Sequence, residues 1–281
     1  MNLLTPALHG AAAPHRPAPR RAEVALVIGA GGVLGSALLA RALACGAYSR
    51  VQALVAAPLA STLRGLEPVS ADSLLGGTLG VSKADTAFIV FERARHSNGR
   101  DDAFFQPEPG QLPEIAGVLH RAGVRRLLVV VPHAPALLPQ ALRVGLASLD
   151  EGLVAAIGFE HLVFLRASQS ALAAVAAGGA PVSGSATGSR FRRWGEGLAG
   201  WWLSQLKWMV PAGDQPVRAV KLAELAVELG LRLPAAPPGT RVLAPETMSQ
   251  AALASDGGSA VLAAWLAGGD VPAPSAPARR W

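Results

Sequence analysis

Apolar residues along this chain come in short unbroken runs, separated by longer stretches in which apolar and polar positions mix. Val24–Ile28 is wholly apolar, the pattern of a strand covered on both faces. Glycines follow it. Gly32–Cys45 then reads as a helix closed by Gly46. The same reading predicts strands at Val51–Val55, Leu66–Ser70, Thr86–Phe91, Arg126–Val131 and His161–Leu165, with Pro132 stopping the fifth. Helices are predicted at Pro58–Arg64 (short), Gln111–Arg121 (ended by Gly123) and Pro139–Ile157 (long). Strands alternating with helices point to parallel βαβ units, hence an α/β fold with a doubly wound sheet.

The character changes after Arg166. Residues 178–188 are Gly- and Ser-rich, a linker or flap. Phe191–Val210 predicts a helix with Trp194, Trp201 and Trp208 at seven-residue spacing on one face. That face fits core, a dimer or partner surface, or a membrane-surface contact beside Arg190, Arg192, Arg193 and Lys207. Further helices are expected at Val217–Gly230 and Ser259–Leu266, with a strand at Arg241–Leu243 between them. The expected organisation is a disordered arm over residues 1–22 and an α/β core over 23–166. Residues 167–267 form a small helical cap completing the same domain, and 268–281 a tail.

Composition narrows the function classes. The chain has 281 residues, of which 51% are hydrophobic and 16% charged, so it can bury a full core and is not a disordered polyelectrolyte. A single cysteine, Cys45, excludes an internal disulfide and a Cys-rich zinc site. Mean hydropathy is +0.35, yet the longest strongly apolar uncharged stretch, Val24–Ala40, is short and broken by glycines. No transmembrane segment and no secretory signal is expected, and a cytoplasmic location is the default. The net charge of +6 lies largely in terminal and loop arginines, without a basic helix carrying aromatics, so no nucleic-acid partner is expected.

The most informative chemistry is Val24-Ala-Leu-Val-Ile-Gly29-Ala-Gly31-Gly32-Val-Leu-Gly35. Glycines lie directly after a strand and directly before a helix. Gly29 permits the tight turn, Gly31 or Gly32 lets backbone approach a pyrophosphate, and Gly35 lets the helix lie close on the sheet. The helix N-terminus, with its free N–H groups, favours the anion. This predicts a Rossmann-type dinucleotide site. The acid that binds ribose hydroxyls about 20 residues on is missing, since nothing acidic occurs between Glu23 and Glu67. NADP or NAD is the expected cofactor, with NADP preferred, and Arg64 or Arg50 is the candidate partner of a 2′-phosphate.

Gly29–Gly35 carries glycines at both G-x-x-G-x-x-G and G-x-G-x-x-x-G spacing, and resembles the loop of extended and atypical short-chain dehydrogenase/reductases. Asp85-Thr-Ala-Phe-Ile-Val-Phe91 resembles their fourth strand, and Ala122-Gly-Val-Arg-Arg-Leu-Leu-Val-Val-Val131 the run into their fifth. Gly158-Phe-Glu-His-Leu-Val-Phe-Leu-Arg166 resembles a strand that usually ends in Arg-Pro, though here Ala167 follows. The likeness covers residues 23–166 and is nearest the NAD(P)H-binding, Tat-interacting-protein-like oxidoreductases. It implies a cofactor-binding set of Gly29, Gly31, Gly32, Val33, Leu34, Gly35, Arg64, Phe91 and Val131. It also implies a small-molecule substrate and a loop, Arg95–Gln106, near the nicotinamide side.

The family's catalytic Tyr-x-x-x-Lys has no counterpart. Tyr48 is the only tyrosine, the lysines are Lys83, Lys207 and Lys221, and the expected helix reads Leu138-Pro-Gln-Ala-Leu-Arg-Val144. His133, just after the fifth predicted strand, is the remaining candidate acid on position alone; a loop histidine bonded to backbone is the competing reading. Asp101-Asp102 reads as a solvated turn rather than a metal site. Two functions follow: an NADPH-dependent oxidoreductase without the usual relay, or a non-catalytic dinucleotide-sensing or interaction module on the same fold.

Overall fold

A computed structural model of the chain describes residues 23–59, 63–75, 84–92, 101–133, 146, 148–168, 217–254 and 256–268. The arm over 1–22, the Gly/Ser-rich segment, the Trp-rich helix, all but Gly268 of the tail and residues 139–145 and 147 of the predicted long helix lie outside them.

Among the described residues, seven strands form one sheet. They are β1 (Glu23–Ile28), β2 (Tyr48–Val55), β3 (Leu66–Ser70), β4 (Thr86–Val90), β5 (Arg126–His133), β6 (His161–Ser168) and β7 (Gly239–Leu243). Their order is β3-β2-β1-β4-β5-β6-β7, and every neighbouring pair is parallel. The chain moves outward from β1 to β3, then restarts on the other side of β1 with β4. That reversal is the switch point of a doubly wound Rossmann-type sheet, and it leaves a crevice at the carboxyl ends of β1 and β4.

Alternation along each strand feeds two cores. Ala25 and Val27 of β1 join Phe88 and Val90 of β4 on one face. That face is covered by α1 (Val33–Ala44), α5 (Ala219–Arg232), α6 (Pro245–Leu253) and α7 (Ser259–Leu266). Val24, Leu26 and Ile28 join Ala87 and Ile89 on the other, under α2 (Ala71–Leu75), α3 (Leu112–Arg121) and α4 (Leu149–Ile157). Period-two alternation of buried residues on both faces is why the strands read as continuous apolar runs.

Several predicted boundaries shift. β5 runs through Pro132, which pairs with Ala167. β4 ends at Val90 opposite Val130, so beyond that point β5 has one neighbouring strand among the described residues, and a missing N–H is tolerated there. The long helix does not extend continuously from Pro139. Ser148 is extended (φ −134°, ψ 161°) and its Oγ accepts the Glu151 N–H at 3.2 Å, so α4 begins after it. The described ends of the predicted Pro58–Arg64 helix are not helical. No helix among the described residues is long and apolar enough to cross a membrane.

Candidate functional site

The glycine turn lies at the carboxyl end of β1, at the switch point. Gly29 has φ +87°, the left-handed region that favours glycine, and a Cβ there would collide with the Val90 carbonyl at the end of β4. A Cβ on Gly35 would collide with the Gly29 carbonyl, so this glycine lets α1 rest on the turn. Gly31 lies against the Asp101 carbonyl and Gln106, and Gly32 against the carboxylate of Glu92. Gly32 is the N-cap of α1 and has no side chain to cap with; the helix also lacks an acidic residue in its first turn.

Its free donors are taken from elsewhere in the sheet. Glu92, two residues past β4, accepts the Leu34 N–H at 2.7 Å and the Gly35 N–H at 3.3 Å through the same oxygen, Oε2. A carboxylate therefore occupies the place where such a turn receives an anion. Sequence reasoning missed Glu92. Only the strand order, which puts β4 beside β1, brings it to the helix. Phe91 is buried at the end of β4, and with Glu92 and residues 106–110 it lines an open cleft of about 540 Å³.

The described part of the polar loop, residues 101–106, runs across the end of β2 and against the glycine turn, where the Asp101 carbonyl and Gln106 face Gly31. Phe104 forms an antiparallel bridge with Val55, the Phe105 N–H donates to the Leu54 carbonyl, and the Ala103 carbonyl accepts from Ala56 and Ala57. Backbone pairing and burial of Ala103 fix it there. Asp101 and Asp102 come with it, next to the end of β2.

Arg64 requires correction. It precedes β3, whose Leu66 pairs with Val51, while the turn lies beyond Val27, which pairs with Ala53. Arg64 is therefore at the amino-terminal edge of the sheet, away from the glycine turn. The chain after β2 must return the full length of the sheet before a parallel β3 can start. Arg50 is near that edge too, paired with Glu67 at 3.2 Å. Val131 is half-buried beside Arg166 in the register, and His133 ends β5 opposite Ser168, its side chain outside the described part. Arg166 itself is buried and bonded to Glu151 of α4 at 2.8 Å.

Tyr48 also belongs to the amino-terminal edge, opposite Glu23. It is buried edge-on against Phe88, ring centroids 6.5 Å apart, and burial pushes its phenol above the usual range. It cannot reach a ligand on the glycine turn.

No family model and no curated protein matches the chain. Solved structures similar to it include a Rossmann-fold NAD(P)-binding family protein from Shigella flexneri, at 14% identity and TM-score 0.32 over 52% of this chain and 67% of that one. Another is the Bordetella bronchiseptica enzyme WbmG in complex with NAD, at 13% identity and TM-score 0.44 over 84% and 81%. A third is MoeE5 in complex with UDP-glucuronic acid and NAD, at 19% identity and TM-score 0.32 over 51% and 54%. The chain's own strand order and parallel register define it as an α/β protein with a Rossmann-type sheet.

Proposed function

We propose that this chain binds a nicotinamide dinucleotide at Gly29–Gly35, in the manner of atypical short-chain reductases, without the conventional proton relay. The observation that carries the reading is the carboxylate held by the Leu34 and Gly35 N–H groups. It supports an anion-binding helix start, cleared by glycines, at the switch point of the sheet. Gly29, Gly31, Gly32, Val33, Leu34 and Gly35 form the phosphate cradle, with Phe91 at the end of the neighbouring strand β4 and Val131 on β5, one strand further.

The geometry favours NAD(H) over the NADP(H) expected from sequence. Arg64 and Arg50 are remote from the turn, while Asp101 and Asp102 directly precede the segment Ala103–Phe105 that pairs with the end of β2. Carboxylates there suit a ribose diol and oppose a 2′-phosphate. Hydride transfer is the reaction class the cofactor brings. The sole tyrosine is buried at the opposite edge, which favours a slow reductase or a non-catalytic dinucleotide-responsive module over an ordinary ketoreductase.

Calorimetry of the full chain with NADH and NADPH tests this. NADH should bind more tightly, and Gly32→Asp, which adds a side chain and a negative charge to the cradle, should abolish binding. Equal affinity in wild type and Gly32→Asp would remove the reading. Tighter NADPH than NADH would remove the cofactor preference. NADH-dependent reduction of aldehydes and ketones should be slow or undetectable.

A further inference from the structure

Glu92 stands at a junction between two environments. Its Oε2 is bonded to the N–H groups of Leu34 and Gly35, the donors that a phosphate takes at a glycine turn. Its other side borders the open cleft lined by Phe91 and residues 106–110. The helix has no anion of its own, because its first turn contains no acid and its N-cap is Gly32. The anion is delivered instead by a side chain 58 residues away in sequence. The carboxylate is the far end of a flexible chain, so a rotamer change releases the helix start with the backbone in place.

We propose that Glu92 is a specificity-determining residue of this site, a built-in competitor that sets how much negative charge a ligand must bring. A single phosphate has one phosphoryl group to set against the two N–H groups that the carboxylate already satisfies. A diphosphate brings more charge and more acceptor oxygens, so it displaces Glu92 where inorganic phosphate does not. The identity of the natural ligand as a dinucleotide rests on the function proposed above. The competition does not, because it concerns the helix start and the carboxylate alone.

The test uses the full chain as wild type, Glu92→Ala and Glu92→Gln, with sodium phosphate, sodium pyrophosphate and NADH as probes in calorimetry and thermal melts. Wild type should bind pyrophosphate and NADH and ignore phosphate. Glu92→Ala should bind NADH about tenfold more tightly, and phosphate should become a measurable ligand. Glu92→Gln keeps the length and loses the charge, so its affinities should fall between the two. It also serves if the alanine variant folds poorly. Ligand-free Glu92→Ala should melt below wild type, and pyrophosphate should restore it.

The same NADH and pyrophosphate affinities in all three proteins would overturn the proposal, leaving Glu92 as a helix cap and the dinucleotide reading intact. Pyrophosphate stabilising Glu92→Ala more than wild type, with NADH bound by neither, would uphold the competitor and remove the dinucleotide reading. No binding of any probe by any of the three would overturn both.

Discussion

The two edges of this sheet handle charge in opposite ways. At the amino-terminal edge, charges are matched between residues held in place by strands. Arg126 grips Glu23 with both prongs, at 3.2 and 3.1 Å, and the Asp85 carboxylate accepts the Val24 N–H at 3.1 Å. His161 is buried there, 3.7 Å from Glu160. At the carboxyl-terminal edge, the helix start is met by one carboxylate on a flexible side chain beside an open cleft. Strand-borne pairs come apart only when the sheet does, whereas a rotamer at a cleft can be exchanged for a ligand. On the proposed reading the amino edge serves stability and the carboxyl edge exchange, although similar residue types supply both.

The largest effect should come from breaking the carboxyl edge at Gly29. Alanine there must adopt φ +87° and meet the Val90 carbonyl. Left-handed strain of 1–2 kcal/mol and overpacking of 1–3 kcal/mol give a loss of about 3–4 kcal/mol in urea unfolding. Gly46→Ala is the control, since Gly46 also has positive φ but nothing lies within 4 Å of a Cβ there; it should lose about 1–2 kcal/mol. Equal losses at both positions would show that close approach to β4 is not what makes the turn demand glycine.

A smaller effect is expected at the amino edge. In Glu23→Gln the Arg126 guanidinium, whose side chain is 7% exposed, loses its ionic partner. Breaking a fully buried pair costs about 3–5 kcal/mol, and the 29% exposure of Glu23 lowers this to about 2 kcal/mol. NADH affinity should be unchanged. A variant as stable as wild type, or one with weakened NADH binding, would erase the distinction between the edges.

The smallest effect concerns pH. Burial lowers the pKa of His161 from its ordinary 6.5, helped by Arg241 and Arg126 and opposed by Glu160. The fold therefore favours the neutral imidazole, while the unfolded chain takes up a proton near pH 6.5. This contribution to stability is complete above that value and is lost as pH falls toward the folded pKa. Melting temperature should decline between pH 7.5 and 5.5, and the decline should be shallower in His161→Gln. Identical slopes would show that His161 is not the titrating group.

Much of the fold was legible because buried parallel strands need apolar runs. Val24–Ile28 and Thr86–Val90 were visible for that reason, and α1 between its glycines for capping reasons. The short helix Ala71–Leu75 and the helix Pro245–Leu253 were not foreseen. The first is a single turn or so, and the second follows β7 with Pro245 as its start, a signal that also reads as a strand stop. Pro132 misled for a related reason: a proline forbids a central strand position but not one with a single neighbour.

The candidate site divides along the same line. A strand, a glycine turn and a helix contiguous in sequence are local chemistry, and φ at Gly29 and the closeness of α1 to the turn follow from residues a few positions apart. Sequence alone therefore determined the glycine turn and the doubly wound class, and it contains no Tyr-x-x-x-Lys motif. Arg64, Asp101 and Glu92 depend on which strands are neighbours and at which edge each loop emerges. Only the tertiary structure decided that Arg64 lies at the far edge, that Asp101 and Asp102 accompany the end of β2, and that Glu92 caps α1. The physical reason is that a parallel sheet places residues by strand order and direction, and long-range pairing between β1 and β4 is set by the packing of the whole core rather than by any local pattern.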